Sequence, residues 1–457
     1  MISYMDVIKM EVEGLYGSEV LRDLAEIISL YEMYEGEGQF WEVACGLDYV
    51  PTQRRANFIK KLIKEEARFL FGREPEFRFS AADKEEAGKV SEFFQKILSS
   101  NMFSEKLIKA ARDCFIGKRV AVKLSVIDGE VRINFVPSMG FVYSVDEGDC
   151  DRLKSIVFFY GLNDEENKSE QRIWKQKYWM DDGRCYINES VYDGHGMPIK
   201  VTYENVDTGL SFIPAKVVIN DGLSGDLKGE SDVAELIESQ MVYNRLASDD
   251  IDALRFNMFP QTVAVNASEA SLKGMVIAPS ALIDLQKEIT ADGNCELYKL
   301  ESQFGYDGRV ENVLDRLKSD MYELLSVPNV TAGELKGYFN SGKSIKAIYW
   351  QLETRCEEKF AAWRPFLEWM AMAVVKIAEQ VRILETNIPE DLTVKCENVY
   401  PLLQDEIDEK QSDIAAVAAR VMSRRSYVRK WNPEMTEEEV SLEVEKIVGQ
   451  VKDRDIL

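Results

Sequence analysis

The residues with the sharpest chemical pattern are Gly337-Tyr-Phe-Asn-Ser-Gly342-Lys343-Ser344, which satisfy the GxxxxGK[ST] rule of phosphate-cradling loops. In such a loop the backbone N–H groups wrap the phosphates, the lysine reaches the outer ones and the hydroxyl holds magnesium. That chemistry needs a β-strand feeding the loop and a later apolar strand ending in aspartate. Here Pro328 and a helical pattern come before the motif and a long helical stretch follows it, so it reads as a loop-to-helix junction. His195, the one histidine, sits in the turn-like Tyr192–Pro198 stretch and reads as an exposed loop residue. Arg420, Arg424, Arg425, Arg429 and Lys430 form the one dense basic patch. A helix-turn-helix DNA reader would use such a patch. Its other reading is a solvated face beside Asp405, Glu406, Asp408, Glu409 and the glutamates at 437–439. Phe360, Trp363, Phe366, Leu367 and Met370 have the spacing of a core stripe. No catalytic set, no metal-binding set and no cofactor is assigned.

Composition narrows the classes further. The 457 residues are 46% hydrophobic and 30% charged, so the chain can bury a core, with a length of two to four domain-sized units. The formal charge of −24 removes the ordinary ground for tight nucleic-acid or anionic-lipid binding, which rests on Lys and Arg. Seven cysteines, none two residues from another, give no metal-knuckle or redox spacing and read as reduced thiols. The stretch MISYMDVIKMEVEG has no apolar run of the signal-peptide kind. The longest apolar stretch, Trp369 to Val375, is far short of the ~20 residues of a membrane span, so the expectation is a soluble chain.

The elements that must position these residues follow from periodicity. Three- and four-residue spacing predicts helices over 6–34, 54–71 and 83–116, with Gly72 ending the second and a strand at Glu76–Phe79. Residues 118–222 alternate, with a tight turn at Asp128-Gly129, and predict mainly antiparallel sheet. A long helix starts near Asp232, read as a cap with Glu235, and stops before Pro260. Residues 261–304 predict a small β-rich insert, too small for a core of its own. A second helix, 308–326, returns. After a loop at 329–342 comes a helical stretch to about residue 382, which Pro365 must kink or split. Two or three amphipathic helices fill 404–457, with joints at Ser423–Ser426 and Asn432-Pro433 and a capping box at Thr436 and Glu439. The fold class is α+β, with a helix out, a compact β knob and a helix back. Alone, such a layout leaves apolar stripes uncovered; in a ring of copies the rods pack side by side.

The order of parts resembles the portal proteins of tailed double-stranded DNA phages, of the siphophage type. The resemblance covers essentially the whole chain. It is carried by Arg54-Arg-Ala-Asn57 through Gly72 to Phe77, by Gly229-Glu-Ser-Asp232 with Tyr243-Asn244 and Ser248-Asp249, by Ser341-Gly342-Lys343-Ser344-Ile345-Lys346, and by Met422-Ser423-Arg-Arg-Ser-Tyr. It implies a homo-oligomeric ring, usually of twelve subunits, at the capsid vertex, present in the host cytoplasm during assembly. It also implies a channel for double-stranded DNA without sequence specificity. The implied divisions are a wing at 1–222, a linker and first stem helix at 223–260, a clip at 261–304 and a second stem helix at 305–327. A tunnel loop at 328–342, a long kinked wing helix with its following segment at 343–403 and a crown at 404–457 complete them. The tunnel loop would present Glu334, Lys336, Gly337, Tyr338, Phe339 and Asn340 to DNA. The clip, through Val263, Val265, Met275, Ile277, Leu282, Leu285, Leu297 and Tyr298, would dock the terminase large subunit and a head–tail adaptor. Capsid and scaffold proteins are the other implied partners, and no membrane is. The function implied is a non-enzymatic conduit for packaging and ejection. The alternatives are a nucleotide-hydrolysing motor using Lys343 and Ser344, or a helix-turn-helix DNA-binding protein using the 420–430 patch.

Overall fold

The computed structural model describes residues 17–43, 49–162, 172–193, 197–258, 261–273, 286–289, 294–300, 307–330, 342–384, 388–401, 406–432, 435 and 437–454. The chain divides into two units, one of residues 1–327 and 352–400, the other of 328–351 and 401–457.

The first unit opens with α1 (Gly17–Glu35) and α2 (Phe58–Phe71). Asn57 caps α2 by accepting Lys60 N–H, so the helix starts at Phe58 rather than at Arg54. Strand β1 (Glu76–Ser80) follows, then α3 (Lys84–Ser100) and α4 (Phe103–Gly117). The single helix expected over 83–116 is therefore two. Met102 takes a left-handed φ of 50°, and the Asn101 side chain bonds Ile97 O, Val131 O and Ile133 N–H, tying the break to a strand.

The alternating region is antiparallel sheet, as its pattern predicts. β2 (Arg119–Ile127) pairs with β3 (Glu130–Pro137) and with β9 (Ala215–Ile219). Asp128 and Gly129 both have positive φ, the requirement of a two-residue type I′ turn. β4 (Phe141–Val145), β5 (Leu153–Leu162), β6 (Arg172–Asp181), β7 (Arg184–Tyr192) and β8 (Pro198–Asp207) form a five-stranded meander. Phe141, Ile156, Phe158, Tyr178 and Ile187 pack with Ala121 and Ala215 of the smaller sheet. Leu24 of α1 covers Val142, Val157 and Phe159 on the meander's other face.

Helix α5 (Asp232–Met258) packs against α7 (Asp307–Leu324). Between them in sequence, β10 (Gln261–Val265) pairs antiparallel with β11 (Glu296–Leu300), and α6 (Glu269–Lys273) is a short helix the pattern did not predict. Helix α8 (Gly342–Gln380) runs through Pro365 without splitting. Its Phe360, Trp363, Phe366, Leu367 and Met370 are buried, as the core reading expects. Strand β12 (Thr393–Glu397) pairs with β1 across more than three hundred residues.

The C-terminal part of the second unit is three helices, α9 (Glu406–Ala418), α10 (Arg424–Trp431) and α11 (Glu437–Arg454). Ser423 caps α10, accepting Ser426 N–H, and Lys430 Nζ and Trp431 Nε1 donate to Asp413. Thr436 of the expected capping box lies outside the described residues.

Candidate channel and docking elements

The knob brings four of its expected residues into one ladder. Val263 lies opposite Tyr298, Ala264 opposite Leu297 and Val265 opposite Glu296. Val263 and Tyr298 therefore share a face, with Tyr298 47% and Val265 37% exposed. Met275, Ile277, Leu282 and Leu285 fall outside the described residues. So do the tunnel-loop residues Glu334, Lys336, Gly337, Tyr338, Phe339 and Asn340, and His195. Lys343 and Ser344 lie in the first turn of α8, residues 342–380 are helix throughout, and the strand that follows among the described residues, Thr393-Val-Lys-Cys-Glu397, is not the apolar strand ending in aspartate that phosphate-loop chemistry needs.

The two helices flanking the knob carry an acidic surplus and an uncovered apolar surface. α5 has six acidic and two basic residues; α7 has five and three. Val242, Leu254, Phe256, Met258, Val313 and Leu324 are each at least 43% exposed. Among the described residues no group of His, Cys, Asp and Glu could hold a metal ion, and no helix is long and apolar enough to cross a membrane.

At the start of α5 lies a buried ionic hub for which no role was expected. Lys359 Nζ of α8 is 2.8 Å from Asp232 Oδ2, 2.8 Å from Asn220 Oδ1 and 3.3 Å from Asp221 Oδ2, and it lies over the Phe115 ring. One turn earlier, Arg355 donates from Nε to Glu66 Oε1 at 2.9 Å and from its second amine to Asp232 Oδ1 at 2.8 Å. Glu66 and Lys359 are almost wholly buried. Burial first, then the Asp232 carboxylate, pushes the Glu66 carboxyl up to about 7. The surrounding carboxylates hold Lys359 firmly protonated, outweighing the opposing effect of burial.

This hub corrects the expected cap. The Asp232 carboxylate is consumed by Arg355 and Lys359, and Ser231 Oγ accepts Val233 N–H instead, at 3.2 Å, while donating to Ile116 O. A sequence signal for the hub exists. Glu66 interrupts the apolar stripe Leu62, Ile63, Ala67 and Leu70, and Lys359 interrupts Cys356, Phe360 and Trp363. A charge on a buried stripe demands a partner.

The hub thus locks the start of α5 to α2, to the β9–α5 connection and to α8. The chain's motif-based resemblance has an independent counterpart. The family described as phage portal protein, SPP1 Gp6-like, matches residues 16–450. Comparison with curated protein sequences gives no match. Portal proteins are structural capsid components of bacteriophages with a channel role in DNA packaging. Nearly the whole length is matched and the fold is the mixed α+β arrangement that such a subunit requires, so the chain belongs to the SPP1 Gp6-like family of phage portal proteins.

Proposed function

We propose that copies of this chain, twelve in the usual arrangement, close into the portal ring of a phage capsid vertex after assembly in the host cytoplasm. In this reading α5 and α7 are the stem, residues 261–304 the clip, residues 328–342 the tunnel loop and 404–457 the crown. The observation that carries it is the α5–α7 pair, whose exposed apolar side chains need neighbours while its acidic surplus suits a wall along which DNA slides. Firm phosphate contacts would have to be broken at every step of translocation. Glu334, Lys336, Gly337, Tyr338, Phe339 and Asn340 then meet passing duplex. The knob face carrying Val263 and Tyr298 docks the terminase large subunit during packaging and a head–tail adaptor before ejection, and capsid and scaffold proteins surround the ring. The ring itself does no covalent chemistry.

Light scattering and negative-stain images of the purified chain test this. A closed ring with a central hole is expected; a stable single-copy particle under every condition overturns the proposal.

A further inference from the structure

Helix α5 carries four polar residues at intervals of four, Gln240, Asn244, Ser248 and Asp252, none more than 6% exposed. A buried polar stripe of this length needs partners. It finds them in the backbone of residues 52–57, which lie in neither helix nor strand, and of Phe58, the first residue of α2. Asp252 Oδ2 accepts Thr52 N–H at 2.8 Å, Ser248 Oγ accepts Arg54 N–H at 2.9 Å, Asn244 Oδ1 accepts Ala56 N–H at 3.1 Å and Gln240 Oε1 accepts Phe58 N–H at 2.8 Å. Gln240 Nε2 returns a bond to Ala56 O at 2.7 Å.

The match is one of pitch. Four helical residues advance about 6.0 Å and two extended residues about 6.6 Å, so every second amide meets the next rung. The helix stands in for a neighbouring β-strand. The alternate residues point the other way: Gln53, Arg55 and Asn57 donate to Trp41 O, Gly36 O and Tyr34 O at the end of α1 and beyond it. Edge-to-face ring pairs, Tyr49 with Phe256 and Phe58 with Tyr243, close the two ends at 5.0 Å each.

Register is specified twice. Asp252 Oδ1 also accepts the Thr52 hydroxyl at 2.6 Å, which neither Val50 nor Arg54 could supply after a two-residue slip. A one-residue slip would set the amide-free Pro51 against an acceptor.

We propose that Gln240, Asn244, Ser248 and Asp252 are positioning residues of the channel wall: a clamp that grips the 52–58 backbone and thereby fixes the axial register and tilt of α5, the helix that leads into the knob. The functional part rests on the portal reading; the clamp itself does not. At 54 and 56 it takes only backbone groups, so it tolerates other side chains there but not proline.

Residue-resolved amide exchange on the full chain tests the clamp. Arg54, Ala56 and Phe58 are expected to exchange at least tenfold more slowly than Gln53, Arg55 and Asn57, an alternation that packing alone does not produce. Asn244→Leu keeps the branched shape without either polar atom and should erase the protection of Ala56, while Asn244→Asp, which keeps the acceptor and loses only the Nδ2 donor to Gln39 Oε1, should retain it. Ala56→Pro should free the segment and Ala56→Ser should not. Uniform exchange along 52–58 in the native chain, or an Asn244→Leu variant with Ala56 still protected, overturns the clamp. In ring images Asn244→Leu should lower the yield of closed rings at least fivefold, with Asn244→Asp at the native level. Native yield and an unchanged α5 tilt in Asn244→Leu overturn the positioning role. Failure of the native chain to form any ring sinks the portal reading instead and leaves the exchange result standing.

Discussion

Glu66 has no exposed surface, and its second carboxylate oxygen has no hydrogen-bond partner, while the first is bonded by Arg355. Removing a carboxylate from water raises its proton affinity, and the nearby Asp232 charge raises it further. A carboxyl shifted from 4.5 to about 7 holds its proton more tightly folded than unfolded. Its contribution to stability is complete below about pH 4.5 and is lost as pH rises through about 7, on the order of 3 kcal/mol. The thermal midpoint of the native chain relative to Glu66→Gln should therefore fall between pH 5 and pH 8. A constant difference would mean that Glu66 is ionised throughout. Lys359 poses the opposite case, a cation facing two buried acids. Lys359→Met should cost about 3–5 kcal/mol by leaving those carboxylates undercompensated. Adding Glu66→Gln should recover part of that loss in denaturant titrations, since the two residues share one network.

At the scale of elements, α8 poses the clearest question, because an interior proline removes a backbone donor and crowds the preceding turn. Pro365 lies on the exposed face of the helix, as does Ala361, whose carbonyl would otherwise accept that missing amide. Water can satisfy the freed carbonyl there, so the helix runs on while its other face buries Trp363, Phe366 and Leu367. Pro365→Ala restores one helical hydrogen bond and should raise stability by up to about 3 kcal/mol, seen as a higher thermal midpoint. A lowered midpoint would show that the buried face needs the angle that proline imposes. The α3–α4 break has a different cause. There the Asn101 side chain bonds to the last turn of α3 and to β3, which a continuous helix would not allow.

For the molecule as a whole, the decisive quantities are a charge of −24 and an uncovered helical pair. The phosphate-loop pattern at 337–344 offers a direct test of whether the chain powers packaging or only forms its channel. Purified protein is expected to hydrolyse ATP no faster than buffer, and Lys343→Ala to leave that rate unchanged. Turnover that disappears with Lys343→Ala would make the chain a motor.

Local order was legible because it is written in short periods. The Asp128-Gly129 hairpin, the Gly72 stop, the core stripe of α8 and the antiparallel character of 118–222 each depend on residues a few positions apart. The helix–knob–helix layout follows from the same patterns with the turns between them. What the patterns could not supply are the groups that meet from far along the chain. The pairing of Phe77 with Cys396, the grip of Gln240 on Phe58 and the hub joining Glu66, Asp232 and Lys359 all depend on which surfaces come together. A buried charge or amide announces in sequence only that it needs a partner. Which one it receives is decided by packing, since the free energy of satisfying it is defined only once water has been excluded.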